Sequence, residues 1–312
     1  NDMEKELPEL LSLLSKAPSL LFVDSYFVTE PYLQAVSGIC PVAYLDDLQL
    51  FDYPVDLVIN YDIIPEDMLP SYQAAYKRAG QTLLGASYTP LRRQFQMEVP
   101  AIRPSVKDIL ITTGGSDPYH FCLNLLSCFQ ERLSALIAEP DFHLHVLIGS
   151  LNEDKRLLME LAEELPFLKL HENVTDMATL MSSCDLAISA AGTTLYELCA
   201  VGIPAISYSF ADNQLPSSLA FANVGAVPYA GDLRMDTESC SIVPSPDSKG
   251  TGNAYGLPGV LSAVCHFVTD MSGNMAKRKS AQQSMHRLID GKGSCRIARA
   301  LEECAFHNFR NP

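Results

Sequence analysis

The sequence is poor in basic residues, and this scarcity limits the partners that it can bind. Its 312 residues include 22 Lys and Arg against 37 Asp and Glu, for a formal net charge of −15 at pH 7. A surface for nucleic acid or an anionic membrane needs concentrated positive charge, so we expect neither partner. Nucleotides remain compatible with this charge, because backbone amides at helix N-termini bind phosphate without basic side chains.

The sequence also lacks paired cysteines, long apolar runs and a secretory leader. Its nine cysteines form no C-x-x-C pair, so we expect neither a zinc site nor a disulfide framework. The longest apolar runs have the length of strands, so no transmembrane span is expected. The opening residues, NDMEKELPELL, do not have the basic and apolar regions of a signal peptide. We therefore expect reduced cysteines and a cytoplasmic location.

What the sequence does contain is a regular alternation of short apolar runs and amphipathic stretches. Strands that alternate with helices form βαβ units, so we predict an α/β protein with doubly wound parallel sheets. The predicted strands lie at 19–26, 41–48, 56–62, 108–115, 142–150, 184–192 and 203–210. The predicted helices lie at 117–139, 152–166, 177–184, 260–289 and 294–309.

The predicted strands fall into two groups, which indicates two domains. The segment 81–107 separates them, with three prolines and no clear periodicity, and we place the linker in it at 86–106. The first domain, 1–85, offers only three strands, about half of a Rossmann-like domain. The second, 107–312, is nearly complete and contains a Ser-, Gly- and Pro-rich stretch at 229–259 that predicts a mobile surface loop.

The motif ITTGGSDP joins a predicted strand to a predicted helix and has two interpretations. In the first, Gly114 and Gly115 form a tight turn, Asp117 caps the helix and Pro118 is its first residue. In the second, the glycines let a ligand approach the backbone near Ser116, close to the positive end of the helix dipole. The motif is neither a P-loop nor a dinucleotide fingerprint, which weighs against NAD.

The segment CDLAISAAGTTLYELCAVGIP also admits two interpretations. Thr194 and Glu197 have the spacing of a capping box, in which each side chain satisfies a backbone amide of the other. Alternatively, the small residues before Gly192 leave the carboxyl end of a strand open, where doubly wound sheets bind ligands. An anion on the helix amides would then leave Glu197 free to accept hydrogen bonds from ribose hydroxyls.

Two further polar clusters follow predicted strands. Asn213 and Gln214 come after the strand at 203–210 and form either a plain polar turn or a set of amide groups that face a ligand. In the first domain, Tyr26 occupies the corresponding strand end. We expect these residues and the two glycine-containing turns to face one cleft between the domains.

The histidines form no recognisable metal-binding or catalytic set. His143 and His145 alternate on a predicted strand without a third ligand nearby, and His120 and His171 are isolated. Neither a Ser-His-Asp order nor a Gly-x-Ser-x-Gly turn is present. We predict no metal site and no cofactor.

Taken together, these motifs resemble one family. The segment DLAISAAGTTLYELCAVGIPAISYSFADNQ is similar to the signature of sugar-nucleotide enzymes of the glycosyltransferase-B type. Within these, it most resembles the UDP-sugar hydrolases of pseudaminic acid biosynthesis, relatives of the peptidoglycan N-acetylglucosaminyltransferase. The likeness covers most of the chain except 229–259. Further motifs in the same order are LLFVDSYFVTEPY, VAYLDDL, DLVINYD, LLGASYTPLRRQF, LITTGGSDP and IDGKGSCRI.

The resemblance implies a glycosyltransferase-B fold with two Rossmann-like domains, of which the second holds most of the nucleotide. It implies that Glu197 binds the ribose, and that Tyr26, Asn213 and Gln214 face the sugar. The residues implied near the diphosphate are Gly114, Gly115, Ser116, Gly192, Thr193 and Thr194.

The implied reaction is inverting hydrolysis of a UDP-linked 2,4-diacetamido-2,4,6-trideoxyhexose, a step of nonulosonic acid synthesis for cell-surface glycans. Helix amides would stabilise the charge that grows on the departing UDP, while a base orients the attacking water. Family members open with a Gly-x-Gly-His-x-x-Arg loop whose histidine is the expected base, and this chain has no such loop.

We therefore expect an incomplete first domain and leave the catalytic residue unassigned. Three explanations stay open: a truncated sequence, an upstream domain or second chain that completes the domain, or loss of activity. Two functions stand beside the hydrolase. One is a glycosyltransferase that passes the sugar to an acceptor, and the other is a non-catalytic UDP-sugar-binding module.

Overall fold

A computed structural model describes residues 3–16, 20–235 and 256–307. The chain divides into two compact units, one formed by Asn1–Leu91 with Gly291–Pro312 and the other by Arg92–Asp290. We call them unit 1 and unit 2. In the described residues, no helix is both long and apolar enough to cross a membrane.

Unit 1 is built on a four-stranded parallel sheet in which spatial order equals chain order. Its first three strands confirm the predicted ones, and the fourth lies in the segment 81–107, where no strand was expected. The sequence of the fourth strand shows little periodicity. The strand is defined by its pairing with the third strand, in which Leu57 lies opposite Gln81 and Asn60 opposite Leu84. The elements are α1 (Met3–Leu14), β1 (Leu21–Asp24), α2 (Glu30–Ser37), β2 (Val42–Leu45), β3 (Leu57–Asn60), α3 (Leu69–Ala75) and β4 (Gln81–Leu84).

Unit 2 contains a six-stranded parallel sheet. Its strands are β5 (Asp108–Thr112), β6 (His143–Leu147), β7 (Leu168–His171), β8 (Leu186–Ala190), β9 (Ala205–Ser209) and β10 (Tyr229–Asp232). Their spatial order is β10-β9-β8-β5-β6-β7. This is the doubly wound order of nucleotide-binding α/β folds, in which the chain winds outwards from β5, returns to β8 and winds outwards the other way.

The helices of unit 2 cover this sheet. Buried side chains of β5, β6 and β8 pack with those of α4 and α10, and Phe121 stacks on Tyr208 with ring centroids 4.0 Å apart. The helices are α4 (Phe121–Arg132), α5 (Ser134–Ile137), α6 (Lys155–Glu164), α7 (Met177–Ser182), α8 (Thr194–Val201), α9 (Leu215–Asn223), α10 (Leu257–Ser272) and α11 (Met275–Leu288). The stretch predicted as a mobile loop begins with β10, and its residues 236–255 lie outside the described part.

The last helix, α12 (Gly293–His307), belongs to unit 1, although the predicted second domain included it. Ile297 and Ala300 pack against side chains of β3 and β4, which no local periodicity could reveal. The helix starts against the backbone of Thr89. A Cβ on Gly293 would lie 2.1 Å from the Thr89 carbonyl oxygen, so only glycine permits this approach.

Candidate functional site

The candidate site lies at the carboxyl edge of the unit 2 sheet, between β5 and β8. The chain leaves these neighbouring strands in opposite directions, and doubly wound sheets bind ligands in the crevice that such a reversal creates. Thr112 of β5 and Ser189 of β8 are paired in register. The turns that follow, 113–116 and 191–194, therefore start side by side, and we call the space at their ends the switch-point crevice.

The turn after β5 is open at its glycines. Gly114 has a φ of +80°, and a Cβ added at either Gly114 or Gly115 would meet no atom within 4 Å. A ligand can thus approach this backbone closely. The neighbouring Thr113 hydroxyl is buried and finds no hydrogen-bond partner in the described part of the chain. A buried hydroxyl without a partner carries a cost in free energy.

The helix after this turn begins later than predicted. The N-cap residue is His120, in a left-handed conformation, and not Asp117 as predicted, and α4 starts at Phe121 rather than Pro118. The Asp117 carboxylate accepts hydrogen bonds from the amides of Phe121 at 2.8 Å and Cys122 at 2.9 Å. A carboxylate therefore already accepts from the first amides of α4, and the approach of a ligand to the backbone near Ser116 stays a prediction.

The N-terminus of α8 is uncapped. Thr193 is the N-cap residue, and its side chain accepts no hydrogen bond from the helix. The capping box between Thr194 and Glu197 is therefore absent from the structure. In the described part of the chain, the amides of Thr193 and Thr194 donate to no protein group. A Cβ on the half-buried Gly192 would also meet no atom within 4 Å, so the approach to these amides is open.

Glu197 pairs with an arginine that the sequence did not single out. Arg92 Nη2 donates to Glu197 Oε1 at 3.0 Å, across 105 residues of sequence. The Glu197 side chain is 16% exposed, whereas that of Arg92 is 59% exposed and lies 5.2 Å from the centroid of the Phe95 ring. Burial raises the pKa of Glu197 above its ordinary value, and the hydrogen bond and charge of Arg92 partly oppose this rise.

Asn213 and Gln214 lie after β9, the strand next to β8, on the same edge of the sheet. Asn213 is exposed, in a short 3-10 turn. The Gln214 side chain is used within its own turn, because its Oε1 accepts a hydrogen bond from the Phe210 amide at 2.9 Å. Asn213 is thus the more accessible amide of the pair.

Tyr26 follows β1 in unit 1. Its hydroxyl donates to Asp47 Oδ2 at 2.8 Å, and this hydrogen bond together with the Asp47 charge raises the pKa of Tyr26 to about 12. The tyrosine is exposed and joins the ends of the paired strands β1 and β2. That Tyr26 shares a cleft with the residues of unit 2 stays a prediction.

The histidines on β6 do have a third partner, contrary to the prediction. Asp108 of the adjacent β5 brings Oδ1 to 3.2 Å from His143 Nδ1 and 2.9 Å from His145 Nε2. His171 of β7 adds a contact of 2.9 Å between its Nε2 and His145 Nδ1. No local pattern could reveal this contact, because the strand pairing joins residues 35 positions apart.

Comparisons with known proteins find distant relatives of this chain. No family model matches the chain. The chain is 24% identical over 221 residues to the spore coat polysaccharide biosynthesis protein SpsG of Bacillus subtilis (strain 168), covering 70% of this chain and 57% of SpsG. It is 28% identical over 149 residues to the pseudaminic acid cytidylyltransferase and UDP-2,4-diacetamido-2,4,6-trideoxy-beta-L-altropyranose hydrolase of Helicobacter pylori (strain ATCC 700392 / 26695), covering 46% of this chain and 25% of that protein. The chain thus spans little more than half of SpsG and a quarter of the other.

Solved structures show the fold. MurG of Acinetobacter baumannii matches with a TM-score of 0.56 at 16% identity, over 96% of this chain and 78% of MurG. The GtfA/B complex matches with a TM-score of 0.55 at 14% identity, over 96% of this chain and 60% of that chain. The chain therefore has the glycosyltransferase-B fold, which confirms the predicted fold class.

Proposed function

We propose that this chain acts on a UDP-sugar and that the switch-point crevice holds the nucleotide. The observation that carries the proposal is that the N-terminus of α8 has no side-chain cap and lies one turn before the half-buried carboxylate of Glu197. Free first-turn amides attract an anion, and a nearby ionised carboxylate suits neutral hydroxyl groups. A nucleoside diphosphate joined to a sugar offers both.

The diphosphate would lie against α8 rather than α4. Among the residues that the structure describes, none accepts from the amides of Thr193 and Thr194, whereas Asp117 already accepts from the first amides of α4. Gly114, Gly115, Ser116 and Gly192 would let the phosphates come close to the backbone. This arrangement needs no lysine or arginine on the phosphates, in keeping with the strongly acidic sequence.

Glu197 would bind the ribose. Its Oε1 accepts a hydrogen bond from Arg92, so the two carboxylate oxygens can still accept hydrogen bonds from two vicinal hydroxyls. Arg92 also favours the ionised form of this carboxylate against the effect of burial. Tyr26, Asn213 and Gln214 are the proposed contacts to the sugar.

The proposed reaction is hydrolysis of a UDP-2,4-diacetamido-2,4,6-trideoxyhexose. Water would attack the anomeric carbon, the bond from that carbon to the UDP oxygen would break, and UDP would leave with the electron pair. A base would take the proton from the water, and this base stays unassigned. The order of the motifs and the hydrolase named for the Helicobacter pylori relative support this choice. The likeness to MurG favours transfer to an acceptor as the second candidate.

The first test is calorimetric titration of the parent and of Glu197→Gln with UDP. We expect the parent to bind UDP and the variant to bind at least about tenfold more weakly, with unchanged melting temperatures. Glu160→Gln on exposed α6 is the matched control and should bind like the parent. Absence of UDP binding by the folded parent would overturn the proposal.

A second assay separates the two reactions. UDP release from a UDP-2,4-diacetamido sugar in water alone would indicate a hydrolase. Release that requires an added acceptor would indicate a transferase. Binding of UDP without release from any tested sugar would leave only the binding role.

A further inference from the structure

A cluster of metal-ligand side chains lies at the opposite edge of the unit 2 sheet from the switch-point crevice. Asp108 is the first residue of β5 and is paired in register with His143, the first residue of β6. His145 follows two positions later, so both histidines project from the same face of their strand. Leu144 and Val146 between and beyond them are buried on the other face. The sheet itself therefore holds the three side chains together.

The geometry of this cluster fits a cation. One ligand atom from each of Asp108, His143 and His145 lies within 4.8 Å of the others. Both imidazole rings approach the same carboxylate oxygen, Oδ1, at 3.2 and 2.9 Å. A nitrogen lone pair and a carboxylate oxygen repel each other at such distances unless a proton or a metal ion lies between them. Imidazole nitrogen with carboxylate oxygen is a typical ligand set for zinc and similar ions.

Neighbouring groups hold the aspartate in place. Arg103 Nη2 donates to Asp108 Oδ2 at 2.8 Å, which leaves Oδ1 directed at the histidines. The same guanidinium also contacts Asp185, at 2.7 Å from Oδ2. Arg103 thus bridges the two carboxylates and fixes the orientation of the Asp108 side chain.

His171 fits the role of an orienting residue. Its Nε2 lies 2.9 Å from His145 Nδ1, so His145 can donate from Nδ1 while its Nε2 faces Asp108 and His143. Metal-bound histidines commonly have their second ring nitrogen fixed in this way. All four residues line an open cavity of about 930 Å³, which leaves room for water as a further ligand.

We propose that Asp108, His143 and His145 bind one divalent transition-metal ion of the zinc class, with His171 orienting His145 and the remaining position open to the cavity. This site lies outside the switch-point crevice, and its test does not depend on the proposed nucleotide function.

The experiment is calorimetric titration of the chelator-treated full chain with ZnCl₂, with CoCl₂ absorption spectra as a second readout. We expect one Zn²⁺ per chain, and a visible Co²⁺ band that Zn²⁺ abolishes. His143→Gln should weaken Zn²⁺ binding at least tenfold, and its partly exposed position keeps the fold intact. His171→Phe should weaken it by about 10- to 100-fold, as the loss of an orienting partner does.

His266→Gln is the matched control, because this exposed histidine lies on α10, away from the cluster. It should bind Zn²⁺ like the parent, and each variant is checked by its melting curve. The proposal is overturned if the folded parent binds no Zn²⁺. It is equally overturned if His143→Gln binds Zn²⁺ as tightly as the parent does.

Discussion

The guanidinium of Arg92 lies 3.0 Å from the carboxylate of Glu197. Arg92 is the first residue of unit 2, and Glu197 lies on α8, the helix that follows β8. This pair takes the place of the capping box that the spacing of Thr194 and Glu197 suggests. It leaves the first turn of α8 open while the carboxylate stays in a half-buried position. The pKa of Glu197 therefore depends on Arg92, a side chain that is itself largely exposed.

Removal of this arginine should affect ligand binding more than folding. We expect Arg92→Gln to lower the free energy of unfolding by less than about 1 kcal/mol, because ion pairs with an exposed partner contribute little. UDP affinity should fall, since Glu197 loses the group that holds it ionised and oriented. The adjacent, exposed Arg93→Gln is the matched control. Denaturant unfolding and calorimetry measure both quantities, and equal UDP affinity for the two variants would contradict the prediction.

UDP binding should weaken at acid pH, with a midpoint above the ordinary pKa of a glutamate. Burial raises the pKa of Glu197, and only the ionised carboxylate can accept both ribose hydroxyls. Binding is therefore lost as the pH falls through this raised pKa. Arg92→Gln removes the opposing charge, so its midpoint should move to still higher pH. Titrations at a series of pH values measure the midpoint, and an unchanged profile in Arg92→Gln would count against the role of Glu197.

Two glycine variants should separate ligand contact from packing. A Cβ on Gly115 meets no atom within 4 Å, so Gly115→Ala should change the free energy of unfolding by no more than about 0.5 kcal/mol. It should nevertheless weaken UDP binding, because the methyl group occupies the path to the backbone. A Cβ on Gly149 would lie 2.3 Å from the Gly114 carbonyl oxygen. Gly149→Ala should therefore destabilise the fold by about 1–3 kcal/mol.

Denaturant unfolding of both glycine variants gives the comparison. Gly273→Ala serves as the control, because its Cβ would make only an ordinary contact of 3.7 Å. If Gly115→Ala binds UDP like the parent, the phosphates do not approach this turn.

His120 should titrate above the ordinary pKa of a histidine. The hydrogen bond and charge of Asp154, whose Oδ2 lies 2.8 Å from Nδ1, raise the pKa of His120. The stabilising effect of this pair is therefore present below the pKa of the unfolded chain and is lost as the pH rises through the folded value. NMR titration of the imidazole measures the midpoint. Asp154→Asn should lower it, and the same midpoint in both proteins would exclude the pairing.

The continuous apolar strands were predictable because burial on both faces leaves a strong local pattern. The segments that became β3 and β8 are of this kind, with every residue buried. The edge strand β7, with the sequence LKLH, is half exposed and carries no such pattern. The sequence also located the turns around Gly114 and Gly192, since small residues after a buried strand are a local signal.

The contacts within the candidate sites could not be predicted in the same way. The Arg92 to Glu197 pair and the approach of Asp108 to His143 depend on which strands and turns become neighbours. The sequence predicts Asp117 as the cap, but the left-handed conformation of His120 that delays α4 leaves no mark in the periodicity. Pairing across the sheet, rather than local propensity, sets these distances.

The return of α12 to the first sheet makes unit 2 a continuous insertion within unit 1. The chain passes between the units twice, near residues 91 and 290. Removal of the residues after 290 would therefore take away one of the two segments of unit 1 and uncover the side chains of β3 and β4 against which Ile297 and Ala300 pack. A change after residue 290 would thus affect the unit whose sheet lies at 21–84, far from it along the chain.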